Sequence, residues 1–249
     1  MNKLDEIDSK RGDAMKRRTV LLLMALPVLF SGCYQGYVKF KPPEPEFVQT
    51  PFLEEFMKKH KSPKVVLRVP DSELIIPQAE KHNLLYAAIE EEMIKAGFQV
   101  SDRALFKEIL RRSDENMDYV EMSRRTQTDM ILELVKLDTD VSYETNRYYT
   151  YEGEKKLFPQ NESLKACGAK VTFRIILIEE NKLAGSFTFH YAPCQDGCAA
   201  GVSPSGAYLK KEAPSFQDIS YQTVEIDELE EFVKSAARQL IIHLESLRN

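Results

Sequence analysis

A basic cluster, a short apolar run and one cysteine within the first 33 residues constrain this chain more than any other feature. Lys16, Arg17 and Arg18 precede an apolar stretch from Thr19 to Phe30, and the small residues Ser31 and Gly32 stand directly before Cys33. A charged start, a short apolar middle and a small-residue cleavage site are the parts of an export signal. The middle is too short to cross a bilayer, which takes about 20 apolar residues. Residues 1–32 therefore read as a leader that is removed, so that the mature chain starts at Cys33. Asp5, Glu6, Asp8 and Asp13 suit the start of a leader poorly, which makes Met15 the alternative initiator.

The run from Met15 to Cys33 resembles the lipobox of bacterial lipoproteins, although Phe30 stands where Leu is usual. The resemblance implies a diacylglyceryl group on the Cys33 sulfur and an acylated amino terminus after cleavage. Each buried methylene contributes roughly 0.8 kcal/mol, and two or more acyl chains anchor a protein stably without a spanning helix. Tyr34 and Gln35 after the cysteine, with no Asp at the second position, fit delivery to the outer membrane, facing the periplasm.

Composition narrows the partners. Without the leader the chain keeps 217 residues with 28 Lys/Arg and 35 Asp/Glu, a net charge of −7. A body of that sign has no general attraction for nucleic acid. Cys167, Cys194 and Cys198 remain besides Cys33, and an oxidising compartment favours pairing two of them. Cys194 with Cys198 closes a small loop, and Cys167 with either partner is equally open. His190, Cys194 and Cys198 are spaced by four and Cys167 completes a Cys₃His set, but such spacing aligns ligands only on a helix. Pro193 and Gly197 argue against one there, so no metal and no cofactor is assigned.

Residues 33–63 contain Pro42, Pro43, Pro45, Pro51 and Pro63 and read as a lipidated, proline-rich tether. At about 3.1 Å per residue, thirty extended residues reach on the order of 90 Å. Within it Phe52, Leu53, Phe56 and Met57 share a face, which predicts one helical turn packed on the body.

Residues 64–249 read as a single α+β domain. Lys64 to Val69 is a strand, Leu84 to Ala96 a helix stopped by Gly97, and Phe98 to Ser101 a second strand. Asp102 caps a second helix with Leu105, Phe106, Ile109 and Leu110 as its stripe, and Asp129 to Leu137 is a third strand able to run past Val141. A hairpin follows, with Ala169 to Glu179 and Leu183 to Tyr191 as arms. Val171, Phe173, Ile175 and Leu177 form a wholly apolar face. Residues 192–215 read as a long loop, and Asp227 as the cap of a final helix whose broad stripe runs from Leu229 to Leu244 over a mixed sheet.

Val65-Val-Leu-Arg-Val69, the helix around Leu84 to Glu90, the turn Ala96 to Arg103 and Thr128 to Leu134 resemble the soluble core of the curli-secretion-channel lipoproteins. They are equally similar to the lipoprotein activators of penicillin-binding proteins and to the amino-terminal domain of the Tol-system propeller protein. The resemblance implies an envelope protein that binds other proteins. Channel members also insert hairpins into the membrane. Val141 to Tyr151 is the only candidate for such a strand, and Arg147 falls in the middle of its face.

The four histidines lie in no catalytic motif, Ser203 to Gly206 is no nucleophile elbow, and Gly153, Gly168 and Gly185 make no phosphate cradle. Glu90-Glu91-Glu92 and Glu228 to Glu231 read as solvated helix faces. Arg111-Arg112 and Arg124-Arg125 read as solubility and helix-end charge. Tyr143, Tyr148, Tyr149 and Tyr151 are the candidate partner contacts, since Tyr is favoured at interfaces. The expectation is a non-enzymatic, lipid-anchored accessory or assembly factor that binds another envelope protein, with homo-oligomerisation left open. A curli-like channel subunit is second and a lipoprotein enzyme third.

Overall fold

The computed structural model describes residues 34–68, 79–112, 124, 126–158, 163–202 and 224–248. Residues 1–33, with the expected leader and Cys33, and residues 203–215 of the expected loop lie outside the described residues, and the described part of that loop is corrected, because Cys198–Val202 forms a strand. The chain is α+β and divides into two compact units.

The larger unit is built on a six-stranded mixed sheet. Its strands are β2 (Glu46–Gln49), β3 (Lys64–Arg68), β4 (Gln99–Val100), β5 (Met130–Thr145), β8 (Leu164–Leu177) and β9 (Lys182–Tyr191), in the order β2-β9-β8-β5-β3-β4. Around it lie α1 (Pro51–Lys59), α2 (Ala79–Lys95), α3 (Arg103–Arg112) and α4 (Ile226–Ser246). The strand-helix-strand-helix-strand order expected from periodicity is β3-α2-β4-α3-β5, with β3 parallel to both β4 and β5. The expected hairpin is β8-β9, turning through Asn181 at φ 51°.

Apolar alternation decides the layers. Val171, Phe173, Ile175 and Leu177 of β8 are fully buried and meet Val65, Leu67, Met130, Leu132 and Leu134 on the same face. Helices α1, α2 and α4 supply the other half of this core. All eight stripe residues of α4, from Leu229 to Leu244, are buried. Each such Leu, Ile or Phe contributes roughly 1.5–3 kcal/mol. Val66, Ile131 and Ile178 form a second, smaller cluster with Phe106 of α3.

The helix ends follow their sequence signals in part. Gly97 at φ 81° closes α2, with its N–H donating to Ile94 and that of Phe98 donating to Met93, the paired bonds of a Schellman motif. Asp102 caps α3, accepting from the Leu105 N–H at 2.8 Å. Two expectations need correction here. Leu105 is 61% exposed, because α3 covers the sheet through Phe106 alone among its described apolar residues. Asp227 does not cap α4, which starts at Ile226 after Glu225; Asp227 instead lies in the first turn, where its charge favours the helix dipole.

The tether expectation is also corrected, because residues 34–63 are mostly folded. β1 (Tyr34–Val38) belongs to the smaller unit, β2 pairs with β9, and α1 buries Leu53, Phe56 and Met57. The prolines punctuate these elements instead of keeping the segment extended. Pro42, Pro43 and Pro45 separate β1 from β2, Pro51 opens α1, and Pro63 precedes β3.

The smaller unit is a four-stranded sheet in the order β10-β1-β6-β7, with β6 (Arg147–Thr150), β7 (Lys155–Leu157) and β10 (Cys198–Val202). A body read as one domain is therefore two units. The proposed spanning strand Val141 to Tyr151 is divided between them, since β5 ends at Thr145 and β6 starts at Arg147 in the other sheet.

Candidate functional site

The four candidate tyrosines fall in two places. Tyr143 lies on β5 opposite Ala166, and its ring covers Gly168, where an added Cβ would meet the ring at 2.5 Å and the Tyr191 carbonyl oxygen at 2.1 Å. Its hydroxyl is buried without a hydrogen-bond partner, and burial raises its pKa. Tyr143 is thus a packing residue over a close β8-β9 approach. Tyr148, Tyr149 and Tyr151 belong to the smaller unit. Tyr148 packs on Phe158 at 5.3 Å, Tyr149 stacks on Tyr37 at 5.3 Å and 11°, and Tyr151 is 65% exposed at the β6-β7 turn. Four residues, Tyr151 to Glu154, make that connection, with Gly153 at φ 85° and the Thr150 N–H donating to the Glu154 carbonyl oxygen.

The cysteines separate as well. Cys194 and Cys198 are joined in a disulfide, with Cα atoms 5.1 Å apart. Cys167, which the sequence left open as a partner for either, is a free and half-buried thiol on β8, 3.8 Å from a carboxylate oxygen of Asp140. Burial first and the Asp140 charge second push its pKa up, so the unreactive thiol form is favoured. The disulfide loop borders an open cavity of about 280 Å³, lined by Tyr191, Ala192, Cys194, Gln195, Asp196 and Gly197. Burial first, then the Glu228 charge and a hydrogen bond with it, push the Tyr191 hydroxyl up to about 12.

The histidines do not converge. His60 stacks on Phe56 at 4.3 Å and bonds its carbonyl oxygen, while His243 lies against Phe47 at 4.6 Å and bonds Gln49. His190 has both ring nitrogens buried without a partner, and burial, aided by Lys170, lowers its pKa. Among the described residues, no group of three or more His, Cys, Asp or Glu side chains is placed to hold a metal.

Sequence reasoning missed one polar contact. Glu92, read as part of a solvated run, is 5% exposed and forms a forked pair with Arg238, whose Nε and Nη2 donate at 2.7 and 3.0 Å. The guanidinium holds the Glu92 carboxyl down at about 2, and Lys95 adds to the shift. Its neighbours differ. Glu91 pairs with Lys95 in solvent, and Glu90 stands 3.6 Å from Arg103. The run spreads around α2, so one of its members meets α4; a basic residue on the flank of the α4 stripe was the available signal.

Two edges of the six-stranded sheet are left at β2 and β4. All of β2 is exposed, including Phe47 at 41% and Val48 at 69%.

No protein-family model matches the chain, and no curated protein matches it. Solved structures give distant likenesses. A PelC dodecamer from Paraburkholderia phytofirmans is 10% identical at a TM-score of 0.37, covering 81% of this chain and 96% of its own. A neuraminyllactose-binding hemagglutinin homolog from Helicobacter pylori is 11% identical at 0.34, covering 74% and 84%. A hypothetical protein of Chlamydia trachomatis is 10% identical at 0.31, covering 75% and 98%. At these scores the likeness carries no argument about fold or function.

Proposed function

We propose that the chain is a lipoprotein of the bacterial envelope, anchored to the outer membrane through Cys33, facing the periplasm, and acting as a protein-binding accessory or assembly factor. The observation that carries this is the run of Lys16-Arg17-Arg18, twelve apolar-region residues from Thr19 to Phe30, and Ser31-Gly32-Cys33.

Binding is favoured over catalysis by where the chemistry-bearing groups lie. Among the described residues, His60 bonds the Phe56 carbonyl oxygen, His243 bonds Gln49 and His190 has no hydrogen-bond partner, so none of the three is paired with an acid or a nucleophile. An exposed edge such as β2 suits a partner that adds a strand. The test is a crosslinking experiment in intact envelopes with a photoreactive residue at Val48, followed by mass analysis. The expected result is one dominant partner protein, lost when the neighbouring exposed Glu46 is replaced by Lys while the photoreactive residue stays at position 48. A ladder of many copies of the chain itself supports the channel-subunit reading instead.

A further inference from the structure

The smaller sheet has two unlike faces. The registers Gly36 to Thr150, Tyr37 to Tyr149, Arg147 to Leu157 and Tyr149 to Lys155 sort its side chains. Gly36, Val38 and Thr150 share one face and are buried, with Tyr148 packed on Phe158. The opposite face carries the stacked pair Tyr37 and Tyr149, flanked by exposed Arg147 and Lys155 and by Leu157 at 63% exposure. At the β6 and β7 positions of this face every charged residue is basic, whereas the mature chain as a whole is acidic.

Chain connectivity puts one end of this sheet next to Cys33. β1 opens at Tyr34, directly after Cys33, and one extended residue spans at most about 3.6 Å. The antiparallel pairing of β1 with β6 puts the start of β1 at the end of the sheet where the β6-β7 turn carries Tyr151. A lipid on Cys33 therefore enters the bilayer beside that turn, with no spacer to hold the sheet away. Tyrosine rings favour the headgroup level of a membrane, and Lys and Arg are drawn to lipid phosphates.

We infer that the face bearing Tyr37, Tyr149, Arg147, Lys155 and Leu157 lies along the phospholipid headgroup layer, with Tyr151 nearest the anchor. This rests on the lipidation of Cys33 proposed above. The face turns a flexible lipid attachment into an oriented one.

The chain has no Trp, so a single introduced Trp reports alone. Full-length Tyr151→Trp, Leu157→Trp and Ile242→Trp proteins are made with their leader, and the product is placed in phosphatidylethanolamine–phosphatidylglycerol vesicles with or without brominated acyl chains. Ile242, 65% exposed on α4 in the other unit, is the control. Tyr151→Trp and Leu157→Trp are expected to emit further to the blue and to be quenched at least about twofold more than the control. Adding Arg147→Glu and Lys155→Glu to Leu157→Trp is expected to lower its quenching; no change overturns the inference. Quenching confined to Tyr151→Trp means the sheet stands on its anchored end, which also overturns it. Quenching no greater than the control, with Cys33 acylated by mass, overturns the face contact alone. A bare Cys33 in the same sample overturns the contact and the anchor together.

Discussion

Glu92 and His190 both tie this fold to pH. The Glu92 carboxyl ionises at about 2 in the fold against 4.5 ordinarily, because Arg238 and Lys95 hold its charged form. Between those values the unfolded chain binds the extra proton, so stability rises with pH there. The contribution is whole above about pH 4.5 and fades as pH falls toward about 2. The thermal midpoint of Glu92→Gln, followed from about pH 6 to about pH 2.5, is expected to fall less steeply than that of the unaltered protein. His190 works at higher pH with the same sign. Burial depresses its pKa below 6.5, so folding favours the neutral ring and stability is lost as pH falls below that value. His190→Leu is expected to flatten the melting profile between about pH 7.5 and about pH 5.5, with His243, also lowered by burial, leaving some slope. Neither behaviour was legible locally. Glu92 meets a partner 146 positions away, and His190 reads from sequence only as a strand-end residue.

At the scale of the element, legibility follows the range of the signal. Strand alternation in β8 and the stripe of α4 are written in adjacent residues, and both faces lie where the pattern put them. The Gly97 stop and the Asp102 cap are equally local. β1 and β2 were not readable, since each is short and exists by pairing with a distant strand, Glu46 with Thr188 and Tyr37 with Tyr149, and β2 lies between Pro45 and Pro51. Three substitutions test this picture by chemical denaturation. Phe173→Ala in the core of β8 is expected to cost about 3–5 kcal/mol, and Ile242→Ala on the exposed side of α4 less than about 0.5 kcal/mol. Asp102→Ala removes the α3 cap and is expected to cost about 1 kcal/mol.

For the whole molecule, the largest change from the sequence reading is the loss of the tether. A thirty-residue spacer would let the body work far from its membrane, whereas β1 at Tyr34 leaves no such spacer between Cys33 and the smaller unit. The expected leader rests on charge, apolarity and small residues in one contiguous run. The two-unit division was not, because the smaller sheet draws its strands from three separated stretches of chain. The proposed lipid on Cys33 is open to mass spectrometry of the amino-terminal peptide from protein isolated from bacterial envelopes. The expected peptide starts at Cys33 and carries diacylglyceryl and acyl mass. A peptide that retains residues before Cys33, or one whose Cys33 carries no lipid, contradicts it.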